Sequence, residues 1–407
     1  MLNPNLTYLQ CSLCGKKYAK DKPINLCPDD NRPLEMIYDL KAIKAQGNWY
    51  NPKLKSMWRF SGLLPISTDF MDFGEGYTPL LKYHEHEIAK QYNFELFIKD
   101  EGKCHKNYGQ NPTLSFKDRG MAVVINMAKY FGLDKLVVPT QGNAGDSLAY
   151  YADQTDITAA IIMPDDTPMP IQGNVAALSF HNNHIKLEMV KGTIKEAGIK
   201  MKEKYIPKGY FNVATFQEPG WRIEGKKTMG LELAEPNAAS DKWQLPDVVL
   251  YPTGGGTGIL GMWKAFDELQ QLGMIDDKRP KIIAVQSQAT QPITTAFNND
   301  SFEPAATQAG ATLAVGLNVA GGVGHFKVLD IIRQSKGTSI AISEDEIAKN
   351  LSAVWHQKHW WICPEAAACM AALKPLAQQG FIQANDQVVV FNTGSFEKYL
   401  PDVRHLL

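Results

Sequence analysis

No stretch of the chain approaches about 18 uninterrupted apolar residues, so a membrane-spanning helix is not expected. The N-terminus, MLNPNLTYLQCSLCGKKY, also lacks the apolar core that a secretory signal carries behind a basic start. Charge of one sign is missing too: 42 Lys and Arg face 43 Asp and Glu, a formal net charge of −1. Such a balance gives no general attraction to nucleic acid or to an anionic membrane, which leaves small molecules as the expected partners. The six cysteines, at 11, 14, 27, 104, 363 and 369, are too few and too uneven for a disulfide framework. With no repeat and no low-complexity tract either, the expectation is a cytoplasmic globular protein. Its 407 residues, 44% of them hydrophobic, can bury a large core in two domains plus a small appendage.

The appendage is the first 45 or so residues, where three of the six cysteines crowd together with Lys, Asp and Pro and no long apolar period. Beyond residue 76, short Val/Ile-rich runs (LFIKD, KLVVPT, TAAIIMP, IKLEMV, YFNVAT, DVVLYPT, KIIAVQS, DQVVVFNT) alternate with stretches whose apolar residues recur at three and four, such as AGDSLAYYADQ, TIKEAGIKMKEKY and GILGMWKAFDELQQLG. Alternation of that kind predicts parallel βαβ units, in which ligands bind beyond the C-terminal ends of the strands. Three strand ends carry unusual residues: VVPTQGNAG at 137–145, VLYPTGGGTG at 249–258 and VVFNTGS at 389–395.

The second of these places Gly254, Gly255, Gly256 and Thr257 between a strand and a helix, where free backbone N–H groups and the helix dipole favour an anion. A phosphate cradle is the direct reading. Gly256, Gly258 and Gly261 also satisfy the spacing of a dinucleotide fingerprint, but the next strand ends on Gln286 and Ser287 with no acid to hold a ribose. A merely tight turn is the plain alternative.

In NPTLSFKDRGM, Lys117 follows a turn-forming Asn-Pro pair and opens a helical pattern, with Asp118 suited to the first turn. By itself a lysine so placed is ordinarily a solvated surface group. Burial beside Phe116, or proximity to another cation such as Arg119, would keep it uncharged part of the time, as a Schiff-base lysine requires. A phosphate cradle together with such a lysine describes the two ends of pyridoxal 5′-phosphate.

The ordered set GEGYTPL (74–80), NPTLSFKDRGM (111–121), TQGNAG (140–145), EPGWRIEGKKTMGLELAE (218–235), PTGGGTG (252–258) and NTGS (392–395) resembles the threonine synthase family of fold-type-II pyridoxal phosphate enzymes. The resemblance runs from about residue 58 to the C-terminus. It implies an α/β fold of two open, twisted, mostly parallel sheets, with the cofactor in the cleft between a large and a small domain. It also implies a division into an N-terminal zinc-ribbon-like module at 1–45, a large domain at 46–128 and 216–407, and a small mobile domain at 129–215.

Lys117 matches the Schiff-base lysine with Phe116 beside it, Asn143 the partner of the ring 3-oxygen, Gly254, Gly255, Gly256 and Thr257 the phosphate loop, and Thr393 the hydroxyl facing the pyridine nitrogen. A hydroxyl there leaves the ring largely unprotonated, which suits elimination and replacement chemistry. Thr140, Gln141, Gly142 and Ala144 match the loop that takes the substrate carboxylate. Arg222 matches the cation for a phosphate leaving group, with Lys226 a weaker candidate; a surface pairing of Arg222 with Glu218 or Glu224 stays open.

Departures from the pattern fall where substrate would lie. Leu114 stands where the family usually has glycine, KCHKNYGQ at 103–110 is an insertion, and Gln141 and Ala144 replace hydroxyl residues. In the N-terminal module, Cys11-x-x-Cys14 supplies one zinc knuckle while Asp30 stands in place of the second cysteine of the other, after Cys27. Closed structural zinc sites are normally built from Cys and His, so the expectation is a metal-free relic, with Cys11, Cys14, Cys27 and Asp30 the only candidate ligands.

Three functions are open at this point. The first is threonine synthesis from O-phosphohomoserine, with a small-molecule amino-acid phosphate as substrate and a homodimer possible. The second is β-elimination or β-replacement on serine, threonine or O-phosphoserine. The third is a regulator without turnover, against which the joint presence of Lys117, Asn143, the glycine loop and Thr393 argues.

Overall fold

The computed structural model describes residues 1–236, 241–305 and 307–407. Contacts divide the chain into two compact units, Met1–Gly76 with Asn111–Thr228, and Tyr77–Gln110 with Met229–Leu407.

The first unit holds two sheets. Strands Leu6–Cys11, Lys17–Tyr18 and Leu34–Tyr38 form an antiparallel sheet, with Leu6–Cys11 in the middle. The other sheet is parallel and four-stranded, in the order Ile185–Val190, Thr158–Pro164, Lys135–Pro139, Phe211–Asn212. Its central strands, TAAIIMP and KLVVP, are almost wholly buried, as continuous apolar runs covered by helices on both faces should be. Two expected elements depart from their sequence pattern, one in length and one in the type of helical turn. The YFNVAT run pairs only through Phe211 and Asn212. The helix begun at Ile194, capped by Thr193 and Glu196, gives way after Lys200 to a wider turn over Met201–Tyr205 and then a tighter one over Ile206–Lys208, which Gly209 ends in a left-handed conformation.

The second unit is built on a six-stranded sheet in the order Thr338–Ile342, Lys281–Ser287, Val248–Pro252, Gln387–Asn392, Glu95–Asp100, Leu80–Lys82. All neighbours are parallel except Leu80–Lys82, which closes one edge antiparallel. The opposite edge strand, TSIAI, was not anticipated, because only five residues with a weak alternation separate Gly337 from the Ser343 cap of the next helix. Val248, Leu250, Val388 and Val390 pack with the Ala-rich face of helix Pro364–Gln378 in the main core of this unit. Parallel order puts the C-terminal ends of Val248–Pro252 and Gln387–Asn392, and hence the glycine loop and the NTGS segment, at the same end of this sheet. Among the described residues no helix is long and apolar enough to cross a membrane.

Candidate active site

In the first unit Lys117 is the first residue of helix Lys117–Phe131, and its backbone N–H donates to Ser115 Oγ at 3.3 Å. Asp118 is fully buried and does more than favour a helix start. Its carboxylate accepts from Thr113 N at 2.6 Å and Thr113 Oγ1 at 2.8 Å, and from Ser147 Oγ at 2.6 Å. Ser147 lies on helix Asn143–Asp153, so one charge-assisted hub ties the loop before Lys117 to the helix that begins with Asn143. These partners lie up to 29 residues away, so no local pattern discloses them.

Around Lys117 the unit gathers cations. Its Nζ stands 4.4 Å from the centroid of the Phe116 ring, and the Nζ of Lys226 stands 4.9 Å from the same ring. Lys226 belongs to helix Trp221–Ala234, as does Arg222; both are buried. Burial, then the charges of Arg222 and Lys117, hold the Lys226 amine well below the usual lysine range. Burial likewise lowers Arg222 and pushes Glu218 up to about 7. Arg222 is not a surface cation: its Nη1 donates to Val213 O and Thr215 Oγ1, both at 3.3 Å, while Nε and Nη2 have no partner among the described residues. The Glu218 carboxylate accepts from the Arg222 backbone N–H at 2.9 Å. Arg119 points elsewhere, with its guanidinium donating to Thr228 Oγ1 at 2.9 Å.

Close helix approach makes this cluster possible. A Cβ on Gly225 would stand 1.9 Å from Arg119 O, and one on Gly120 3.3 Å from Arg222 O, so the lysine helix and the arginine helix touch backbone to backbone. The loop before Lys117 stores strain as well. Leu114, the departure from glycine, has φ of 53°, a conformation that costs an ordinary residue roughly 1–2 kcal/mol. Leu114→Gly should therefore stabilise the chain by about 0.5 kcal/mol after glycine's own entropic cost, and Leu114→Val should destabilise it. Urea unfolding of the three chains checks the order; a glycine variant less stable than wild type would mean that the leucine side chain outweighs the strain.

Thr140 lies at the end of strand Lys135–Pro139, and its Oγ1 accepts from Gly142 N at 3.1 Å. Of the amides from Gln141 to Ala144, that of Gly142 is therefore already engaged. Gln141, Gly142 and Asn143 are half-buried, and Ala144 is covered in the first turn of the helix.

In the second unit, Gly254, Gly255 and Gly256 link strand Val248–Pro252 to helix Thr257–Leu272. A Cβ on Gly254 would meet Gly316 O at 2.4 Å, and one on Gly256, where φ is +79°, would meet Val328 Cγ2 at 2.4 Å. The N–H groups of these three glycines make no hydrogen bond with any described residue, and the helix begins directly after them. Buried N–H groups at a helix start need an acceptor, and a phosphate fits that need. His325 Nε2 contacts Gly254 O at 3.1 Å and steadies the loop from behind. The dinucleotide alternative finds no support, since Gln286 is spent on the amides of Ile293 and Thr294, at 2.9 and 3.0 Å.

Thr393 follows the last strand and is nearly buried, with its Oγ1 3.7 Å from Cys363 Sγ. Its neighbour Asn392 accepts from Cys363 N at 2.9 Å and donates to Asp100 Oδ1 at 2.8 Å, while Asp100 Oδ2 contacts His105 of the insertion at 2.8 Å. Asp100, Asn392 and Cys363 are thus supports that the sequence reading missed. In the same unit Glu232 accepts from Tyr77 N at 2.7 Å and from the buried Lys99 amine at 2.7 Å, which pins the YTP turn of the GEGYTPL segment.

In the first unit again, the four donor groups Cys11, Cys14, Cys27 and Asp30 come together, with one ligand atom of each within 4.8 Å of the others.

A buried amine cluster beside a half-buried helix-start lysine, and a glycine loop with unspent amides, are the parts that a pyridoxal phosphate enzyme uses. The chain belongs to the family described as pyridoxal-phosphate dependent enzyme, which matches residues 71–394. It is similar to threonine synthase from Methanosarcina acetivorans, at 28% identity over 392 residues covering 96% of this chain and 92% of that protein. Threonine synthase from Methanocaldococcus jannaschii is 29% identical, with 95% and 91% covered. Of solved structures, the L-serine ammonia-lyase of Rhizomucor miehei aligns with a TM-score of 0.65 at 18% identity, covering 81% of this chain and 97% of that one. The processed threonine deaminase isoform 2 of Solanum lycopersicum gives 0.63 at 22%, covering 81% and 88%. At such identities these structures carry the fold alone.

Proposed function

We propose that the chain is a threonine synthase, which converts O-phosphohomoserine and water to L-threonine and phosphate. The observation that carries this reading is Arg222, a buried guanidinium whose Nε and Nη2 are not engaged by any described residue, in the same unit as Lys117 and Lys226. A buried cation with unspent donors needs an anion, and a phosphate monoester on the substrate is the one that this chemistry supplies. Elimination from serine or threonine has no use for it. The similarity to threonine synthases over almost the whole chain supports the same substrate.

In this proposal Lys117 is the Schiff-base lysine, Phe116 packs beside it, Asn143 hydrogen-bonds the ring 3-oxygen, Gly254, Gly255, Gly256 and Thr257 hold the cofactor phosphate, and Thr393 faces the pyridine nitrogen. The bound cofactor supplies an electron sink for charge developing at the substrate Cα and Cβ. Lys117, its amine freed when the substrate amine takes its place, removes the Cα proton and then a Cβ proton. Arg222 stabilises the phosphate as it leaves Cγ, assisted by Lys226. Lys117 then gives one proton to Cγ; water adds its hydroxyl to Cβ while its proton passes to the departed phosphate, and return of the second proton to Cα completes threonine. Glu218 does not oppose the arriving phosphate as a fully charged group, because burial holds it near protonation at neutral pH. Thr140, Gln141, Gly142 and Ala144 receive the substrate carboxylate, chiefly through the amides not used by Thr140 Oγ1.

The test is turnover by the wild-type protein across a panel of O-phosphohomoserine, O-phosphoserine, serine and threonine. Equimolar threonine and phosphate from the first, at a rate well above any product from the others, is expected. Processing of serine or O-phosphoserine without any release of phosphate from O-phosphohomoserine would replace this reading by β-elimination or β-replacement.

A further inference from the structure

We propose that Cys11, Cys14, Cys27 and Asp30 bind a zinc ion tetrahedrally, and that this ion fixes the N-terminal module in the shape with which it grips the segment leading into the arginine helix. The expectation of a metal-free relic rested on the missing fourth cysteine. Asp30 supplies a donor at the place that cysteine would fill.

The distances fit a tetrahedron. With zinc–sulfur bonds of about 2.3 Å, two thiolates on a tetrahedral zinc lie about 3.8 Å apart, and a thiolate and a carboxylate oxygen about 3.5 Å. Cys14 Sγ and Cys27 Sγ are 3.8 Å apart, and Cys11 Sγ lies 3.2 and 3.4 Å from the two Asp30 oxygens. A disulfide, whose sulfurs are about 2.05 Å apart, is not what brings Cys14 and Cys27 together.

The surroundings hold each donor in place. Leu13 N and Cys14 N point at Cys11 Sγ from 3.4 and 3.5 Å, Tyr18 OH meets Cys27 Sγ at 3.1 Å, and Arg32 N donates to Asp30 Oδ1 at 3.0 Å, which leaves the other oxygen for a metal. Cys11 and Cys27 are buried while Cys14 is exposed, which provides a way in for the ion. Three soft thiolates in a tetrahedral set select zinc over calcium or magnesium, and the single carboxylate makes the site weaker than one of four cysteines.

What the ion would hold is specific. Between the two knuckles, Asn25 Nδ2 donates to Asn212 O at 3.1 Å and to Gln217 O. In the third strand of the module, Tyr38 OH donates to Glu224 Oε2 at 2.9 Å, and the turn at Gly220 sits so close that a Cβ there would be 2.7 Å from Leu34 O. Residues 212–220 lead directly into helix Trp221–Ala234. A module whose sheet is this small gains its order from a covalent or metal staple rather than from its core.

The test uses the full-length holoenzyme. Elemental analysis should find zinc equimolar with the chain, and cobalt added to the chelator-stripped protein should give the ligand-field bands of tetrahedral thiolate coordination. Cys14→Ser should weaken zinc retention by more than about ten-fold, the loss that even an outer-shell change produces. Asp30→Cys should retain zinc against a chelator longer than wild type does. In wild type, stripping should raise amide hydrogen exchange at 212–220 while the cofactor absorption persists, a readout that needs no variant to fold. A wild-type chain that takes up neither zinc nor cobalt, zinc content unchanged by Cys14→Ser, or exchange at 212–220 unaffected by stripping overturns the proposal.

Discussion

Lys117→Ala is expected to lose turnover by at least about 10⁴-fold, the upper end of what one acid–base group contributes, because the same amine carries the cofactor and moves the protons. Loss of fold is not the cause to expect. Lys117 is half-buried at the first position of its helix, and the hub that holds this region is Asp118 with Thr113 and Ser147. Far-ultraviolet circular dichroism should therefore match wild type. Retention of more than a hundredth of the wild-type rate would transfer the proton work to another base, with Lys226 the first candidate, since burial and its cationic neighbours already favour its neutral form.

Arg222→Ala should reduce turnover of O-phosphohomoserine by about 10²- to 10³-fold, the loss typical when one preorganised donor to a developing charge is removed. The visible absorption of the bound cofactor should stay, because the guanidinium is assigned to substrate rather than to cofactor. Arg222→Lys should recover only part of the rate, as an ammonium cannot reproduce a two-pronged contact with phosphate. Deleting the arginine leaves Glu218 buried without its nearest cation, but burial already holds that carboxyl up to about 7, so protonation limits the cost to stability. Equal rates for wild type and Arg222→Ala would return Arg222 to a packing role with Val213, Thr215 and Glu218.

What the sequence disclosed, and what it did not, follows from the range of the contacts involved. The glycine loop and the helix start at Lys117 are local events, signalled by strand, turn and helix patterns in adjacent residues, and both stand where those patterns put them. The parallel sheets follow equally from alternating runs. The supports of the site do not. Asp118 reaches Ser147, Asn392 reaches Asp100, and Lys226 comes beside Phe116, pairings across 29, 292 and 110 residues that no spacing rule encodes. Lys226 read as a weak phosphate candidate because a lysine pattern says nothing of burial, and its complete enclosure is set by the touching backbones at Gly120 and Gly225. Leu114 was legible as a departure, yet its left-handed backbone became apparent only with the fold. Asp30 was legible as a replacement, yet its distance to Cys11 was not.

Two lysines flank the Phe116 ring, at 4.4 and 4.9 Å, and the whole account turns on which of them carries the cofactor. Lys226 has an amine held well below the usual lysine range by burial and its cationic neighbours but is fully enclosed, whereas Lys117 is half-buried and can be reached by a substrate that displaces it. Borohydride reduction of the yellow wild-type protein, followed by peptide mapping, decides between them directly. The account predicts the cofactor fixed on Lys117 alone, with the colour bleached; an adduct on Lys226, or on any other lysine, would contradict it.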